Sequence, residues 1–464
     1  MRKQLHWLFA ALTLTVAVSI TAQSISAQQY TSVRDVLQNA ELRQDFLIQG
    51  EYLAEIDGFP VGVHLIANGG GEFRVVGYFG GLPGDGWNRG EPRVLGTATL
   101  SGDYITITAT DQRDAMPGID MSVTDLRGRV TIATLQRGPG QGGQGQGGAG
   151  QGGQFRNTPV TITVPATAGM PAMTFEKQFR QSPTLGLAPP EGAVVIFDGT
   201  NLDMFHPNAR MNEQQRGGNT LWAGAATTAF ERRAYRMHLE FLLSYMPQAR
   251  GQGRSNSGVY LEERYELQIL DSFGLEGRDD ECGGFYQLAA PMINMCFPPL
   301  TWQTYTIEFT PAQYDGDQKI TNARVTAWHN GVLIHDDLEL ERHTPGRRAE
   351  GPEPLGVYLQ AHGGRVQFRN IWMQYIDEPV AQIQQAVTLP AYISDGLPVA
   401  QAQPAPAVEV VAVEIAAETV AVEETATPEE AAMEGAVVEF FQRPRRVVQP
   451  APRPLFPRLR TLLQ

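Results

Sequence analysis

Residues 192–377 are written in short alternating runs cut by Gly, Pro and Asn, and no stretch there keeps a helical period for long. A segment that alternates apolar and polar side chains buries one face of an extended strand and leaves the other outside the core. A region of about 185 residues made this way, holding most of the aromatic residues and both cysteines, predicts a β-sandwich of two large antiparallel sheets. The same texture runs from Glu51 to about Gln136, in Val61–Ile66, Phe73–Phe79, Tyr104–Ala109 and Val130–Leu135, with Gly-rich turns between. It resumes at Thr158–Val164. One short helix is predicted over 31–43, with Ser32 as its cap ahead of Val33, Val36 and Leu37.

With 464 residues the chain is too long for one ordinary domain. Residues 28–190 read as a smaller β-rich domain, 191–377 as the sandwich, and the Pro-rich stretch Ser182–Pro190 as the boundary. Ten of the sixteen residues in 138–153 are Gly, so this is a flexible insert, and its resumption as strand afterwards places it inside the first domain. The GxGxxG string from Gly140 to Gly145 is a chance match, because no strand leads into it and no helix follows. Residues 378–464 turn to Ala, Val, Glu and Pro and then to six Arg between Arg443 and Arg460, the composition of a disordered tail.

Arg2 and Lys3, the apolar run Leu8–Ile20 and the small residues up to Ala27 have the pattern of a signal peptide cleaved after residue 27. The run falls short of the ~20 residues a membrane span needs, so a periplasmic or secreted protein without a span in its mature chain is expected. A formal net charge of -14 argues against a general nucleic-acid binder. Cys282 and Cys296, set in a loop-like stretch of an exported chain, read as a structural disulfide. Closing that ~15-residue loop contributes about 3 kcal/mol in the chain-entropy picture. A metal pair and a catalytic thiol are the competing readings, with no CxxC to favour them.

Two segments carry more chemistry than a solvent face needs. Arg254–Asp271 reads as two strands joined near Glu262–Arg264. Val259, Leu261, Tyr265, Leu267 and Ile269 take the core face, while Arg254, Asn256, Tyr260, Glu266 and Gln268 share the other. A second hairpin is expected over Gly356–Asn370, with Val357, Leu359, Val366 and Phe368 inward and Tyr358, Gln360, His362, Arg365, Gln367 and Arg369 outward. If both hairpins share one curved sheet, its concave face is lined by Glu266, Gln268, Gln360, His362 and Arg369, a set suited to a polyhydroxylated ligand. Cross-strand polar pairing alone accounts for such a face equally well.

Val194–Asp203, Asn256–Tyr260, Tyr265–Asp271 and His362–Ile371 follow one another in order, with Gly284-Phe-Tyr286, Trp302 and Asn330-Gly-Val332 between them. This series resembles the 3-keto-disaccharide hydrolase domain family, a concanavalin-like jelly-roll sandwich, over about 192–377. Phe205 stands where the family often has Trp, and Gln303 where Asn is usual. The resemblance implies cleavage of glycosides oxidised to a ketone at carbon 3, on a substrate prepared by a separate sugar oxidoreductase. It casts Glu266 or His362 as base and Arg369, with a divalent metal ion allowed for, against the enolate oxygen. Asn256, Tyr260 and Gln268 would orient the sugar, with Gln360 and Tyr286 nearby. Asp198 and Asp271 are weaker candidates. An ordinary glycosidase would need two carboxylates flanking the bond, and alternation sets Glu263 and Asp271 on the opposite face to Glu266. A lectin-like binder on the same fold remains the reading from another class.

Overall fold

The computed structural model describes residues 28–56, 58–111, 126–132, 158–166, 172–213 and 218–376. The leader 1–27, the Gly-rich insert 138–153 and the tail 378–464 lie outside the described residues. The described part is nearly all β, as the alternation predicts, and its two β bodies belong to one compact unit.

The single helix expected at 31–43 is two. Ser32 caps Val33–Gln38 by accepting from Asp35 N, and Asn39 then ends that helix and caps Ala40–Ile48 by accepting from Glu41 N. Asn39 sits at φ -86 and ψ 111, extended rather than helical, so the helix breaks there. Beyond them the first β body is a closed eight-stranded barrel. Gly50–Ile56 pairs with Phe59–Gly69 on one side and with Met173–Gln178 on the other, and every neighbouring pair is antiparallel. Closure removes the edges that an open sheet of these strands would expose. Tyr52, Leu65, Phe73, Val75, Ile105, Val130 and Ile162 fill it. Val160–Val164 and Met173–Gln178, which follow residues 138–153 in sequence, complete the barrel.

The second body is a sandwich. Its larger sheet centres on Tyr235–Leu242, Trp302–Thr310, Ala323–His329 and Gln367–Tyr375. Its smaller sheet orders Ala225–Ala226, Tyr358–Leu359, Ser257–Leu261 and Tyr265–Ile269. Val259, Leu261, Leu267 and Ile269 from the small sheet meet Met237, Leu239, Phe241, Ile307 and Phe309 from the large one in a continuous core. Residues 361–366 cross from one sheet to the other: Tyr358–Leu359 pairs within the small sheet, and Gln367–Tyr375 within the large one. The second hairpin expected from the sequence is therefore not a hairpin, and its two halves do not share a face.

Barrel and sandwich are packed together. Tyr30 and Tyr245 exchange backbone hydrogen bonds of 3.1 and 2.9 Å, His64 stacks on Phe273 at 4.5 Å, and Arg74 donates to the Phe273 carbonyl. The stretch expected as a boundary lies on the outer face of the large sheet, where Ser182 and Thr184 bond Thr304 and Leu187 accepts from Asn370 and Trp372.

Candidate functional site

Ser257–Leu261 and Tyr265–Ile269 form the hairpin expected from the alternation, with Tyr260 opposite Glu266 and Gly258 opposite Gln268. The turn between them holds Glu262 and Glu263 at φ 47 and 50, a conformation costly for side-chain-bearing residues. Ion pairs hold the turn: Glu262 with Arg232 and Arg264, and Glu263 with Arg347 at 2.8 Å and Arg348 at 3.1 Å. Those two arginines belong to a loop, residues 341–353, that folds back over the hairpin. Thr344 N bonds the Arg264 carbonyl, and Glu266 N donates to Thr344 Oγ1 at 2.8 Å.

The small sheet extends on both sides of this hairpin. Tyr260 pairs with Tyr358, while residues 283–286 run along the far strand, Tyr286 N donating to the Glu266 carbonyl at 3.1 Å and Gln268 N to the Gly284 carbonyl at 2.8 Å. The outward row across the sheet is thus Tyr358, Tyr260, Glu266 and Tyr286, and the next row holds Gln360, Gly258 and Gln268. Of the residues expected at the site, Tyr260, Glu266, Gln268, Gln360 and Tyr286 are brought together. Asn256, two residues before Gly258, ends the same face.

Glu266 is the chemically unusual member. Only 3% of it is exposed, yet no cation pairs with it among the described residues. Its Oε2 accepts from the Tyr260 hydroxyl at 2.7 Å. Burial pushes the Glu266 carboxyl up to about 7 against the opposing pull of that hydrogen bond. The Tyr260 hydroxyl, itself pushed up by burial and by Glu266, also lies 3.0 Å from the Pro345 carbonyl. It therefore has an acceptor in either protonation state of Glu266, the carboxylate when ionised and Pro345 when the carboxyl carries its own proton. Gly258 makes the room: a Cβ there would overlap Glu266 Oε1.

Amides surround the carboxyl. Gln360 Nε2 donates to Tyr260 Oη at 3.3 Å, and Gln252 Oε1 accepts from both Asn256 Nδ2 at 2.8 Å and Gln268 Nε2 at 3.2 Å. Asn256 Oδ1 and Gln360 Oε1 are buried acceptors with no partner among the described residues. An unpaired buried acceptor is costly, and two of them on one face beside a carboxyl are placed to receive hydroxyl groups.

Arg369 is not part of this face. It projects from the large sheet to the other outside of the sandwich, where it pairs with Glu240 at 2.7 Å and lies over the Trp302 ring at 4.0 Å. Its alternation is as expected, but a sandwich has two outer faces, and the chain changes sheet before reaching it. His362 lies in the exposed bend 362–364, two residues beyond Gln360. Gln29 fixes that bend, donating to the Gly363 carbonyl at 2.5 Å and accepting from Arg365 N at 2.7 Å. Arg254 is buried against Asp271 at 2.6 Å, at the barrel junction, which also removes Asp271 from consideration. Asp198 closes its own turn by accepting from Thr200.

Sequence reasoning missed Gln252, Thr344 and Arg347. Arg347 sets its guanidinium 3.8 Å from the Tyr358 ring centre, over the outward row, while pairing with Glu263. All three come from loops without periodicity, and nothing in their local sequence marks them. Cys282 and Cys296 are buried free thiols, so the expected disulfide is not formed in this structure. Cys282 also meets the Tyr305 hydroxyl at 3.2 Å, and Tyr305 donates to the Gln268 carbonyl, linking the thiols to the site strand. No group of three or more His, Cys, Asp or Glu among the described residues is placed to hold a metal ion, so the donor set does not fit the divalent ion allowed for, and no step below uses one. No helix among them is long and apolar enough to cross a membrane.

Residues 192–374 match the family model of the 3-keto-alpha-glucoside-1,2-lyase-like domain. Two proteins of solved structure from Parabacteroides distasonis ATCC 8503, each a proposed glycosyl hydrolase, are similar to the chain. One is 23% identical over 40% of this chain and 85% of its own, with a TM-score of 0.36. The other is 15% identical over 43% of this chain and 99% of its own, with a TM-score of 0.26. Trypanosoma rangeli sialidase is similar at 10% identity over 70% of this chain and 59% of its own, with a TM-score of 0.24. No curated protein matches the chain.

Proposed function

We propose, from the premise that residues 192–374 are a 3-keto-alpha-glucoside-1,2-lyase-like domain, that this protein is a carbohydrate-active enzyme that cleaves glycosides bearing a ketone at carbon 3, with Glu266 as the base. The observation that carries the reading is the Glu266 carboxyl itself: buried, without a counter-cation, and poised near neutrality. A general base works best when its pKa lies near the working pH.

A ketone at C3 acidifies the hydrogen on C2. Glu266 takes that proton, the C–H electron pair forms a C2–C3 double bond and the carbonyl π pair moves to O3. As this enolate collapses back to the ketone, the C2–C3 π pair becomes the C1–C2 double bond and the C1 substituent leaves with its bonding pair. Water then adds across the double bond, so the net change is hydrolysis. Arg347 takes the role against the enolate oxygen that the sequence had given Arg369, since it is the guanidinium held over the outward row. Asn256 Oδ1 and Gln360 Oε1 accept sugar hydroxyls, Tyr260 steers the Glu266 proton, and His362 at the rim serves the departing group. The ketone is supplied by a separate sugar oxidoreductase. Export, expected from Arg2–Ala27, belongs to the same reading, and in an oxidising compartment the neighbouring thiols of Cys282 and Cys296 close to the disulfide.

A 3-keto-glucoside deuterated at C2 tests the chemistry. Cleavage slowed by the deuterium, or its wash-out into water, supports proton abstraction at C2. Cleavage at an unchanged rate with full retention of the label overturns it in favour of displacement at C1.

A further inference from the structure

A second concave site lies where the barrel meets the sandwich, between the last turn of Ala40–Ile48, the strand Met173–Gln178 and the 298–301 loop. Its notable occupant is Lys177, which the proposed reaction does not use. The lysine stem crosses Gly50 so closely that a Cβ there would meet Lys177 Cε at 2.5 Å, and Gly50 holds φ +152, where side-chain-bearing residues are rare. The amine donates to the Leu47 carbonyl at 2.6 Å, and the Phe179 ring lies 5.6 Å away.

No carboxylate pairs with Lys177 among the described residues. Glu51 lines the same pocket, but Arg180 binds it at 2.5 and 2.8 Å and His64 reaches it at 3.1 Å. Asp45, on the adjoining helix, is committed to Gly71 N at 3.0 Å, and Glu176 is exposed. Burial without a counter-charge brings the Lys177 ammonium down to about 7, so free amine is populated near neutral pH. Lys319, the other lysine among the described residues, is placed oppositely: it pairs with Glu350 at 2.8 Å and donates to the Glu341 carbonyl.

We propose that Lys177 is a nucleophilic amine that captures small hydroxylated carbonyl compounds in this pocket as imines. The lone pair on Nζ adds to the carbonyl carbon as the C=O π pair moves to oxygen. A proton passes from nitrogen to that oxygen through water, and loss of water leaves the C=N bond. Gln178, Gln181 and Thr301 line the pocket and supply polar groups for the hydroxyls of the captured molecule.

The test is reductive trapping on the full chain, with glycolaldehyde as probe and cyanoborohydride as hydride donor, followed by peptide mapping. At pH 7, Lys177 is expected to be alkylated at least about tenfold faster than Lys319, because each unit of pKa is worth a factor of ten in free amine. Its rate should rise between pH 6 and 8 and then level. The α-amino group reports in its own peptide. Equal rates at Lys177 and Lys319, or a Lys177 that reacts only above pH 9, would overturn the proposal. Lys177→Met, which keeps the stem across Gly50 and buries no charge, should lose this adduct in a protein that still melts cooperatively.

Discussion

Burial disfavours the charge on Glu266 by more than the Tyr260 hydrogen bond favours it, so the folded chain holds this proton to a higher pH than the unfolded chain does. Between about pH 4.5 and 7 the folded state therefore binds more protons, and stability falls as pH rises through that window. The loss amounts to roughly 3 kcal/mol for a shift of this size. Glu266→Gln should consequently melt higher than the wild type at pH 8 and no higher at pH 4, as calorimetry at the two pH values would show. Activity runs the opposite way, since a base must be ionised, and kcat/KM should climb through pH 7 to a plateau. The proposed base thus costs stability at the pH values where the proposal has it ionised. A structural carboxylate would more often be paired, as Glu240 and Glu51 are: a hydrogen bond with His238 and the Arg369 charge hold Glu240, and Arg180 holds Glu51, both well below the usual range, at about 2.

At the scale of one hairpin, alternation was enough to place Tyr260, Glu266 and Gln268 on one face and Val259, Leu267 and Ile269 on the other, because a strand offers only two sides. Gly258 falls on the same face, opposite Gln268, and alternation gives no reason for a residue with no side chain there. The structure supplies the reason, and Gly258→Ala should displace the Glu266 carboxyl, costing about 1–3 kcal/mol of stability and a larger share of turnover. Melting and kcat measured on one preparation would separate the two losses, and a variant with full activity would contradict the placement. What alternation could not supply was the sheet to which an outward residue belongs. Arg369 and Glu266 both point away from the core, but from opposite sheets. Nor could it show that residues 341–353 cover the face, so a surface read as exposed is in fact buried. Asn39 gives the same lesson in a helix: a residue that ends one helix and begins the next carries no periodic signal.

The whole molecule adds packing between domains, which no local pattern records. Arg254 seemed to belong with the site residues; the barrel turns it into a junction residue, paired with Asp271 at 2.6 Å and facing the Ala67 carbonyl at 3.4 Å. Arg254→Met would leave Asp271 buried without its cation, a change worth about 3–5 kcal/mol. It should appear as a large fall in melting temperature, and a fall of a degree or less would show that the pair is unimportant to the joint. The closed barrel was likewise legible only as strands, since closure depends on Gly50–Ile56 meeting Met173–Gln178 from the far side of the insert. The segment ahead of the helices brings Gln29 to the bend that carries His362, so residues outside the sandwich help fix that bend.

The central claim is that Glu266 initiates cleavage of a keto sugar. Release of aglycone from a 3-keto-glucoside and from its unoxidised parent, by wild type and by Glu266→Gln, tests it most directly. The account predicts turnover of the keto substrate alone, lowered about 10²–10⁴-fold in the variant. Equal turnover of both substrates, or an undiminished variant, would contradict it. So would sugar binding without cleavage of either, which would make the protein a lectin-like binder.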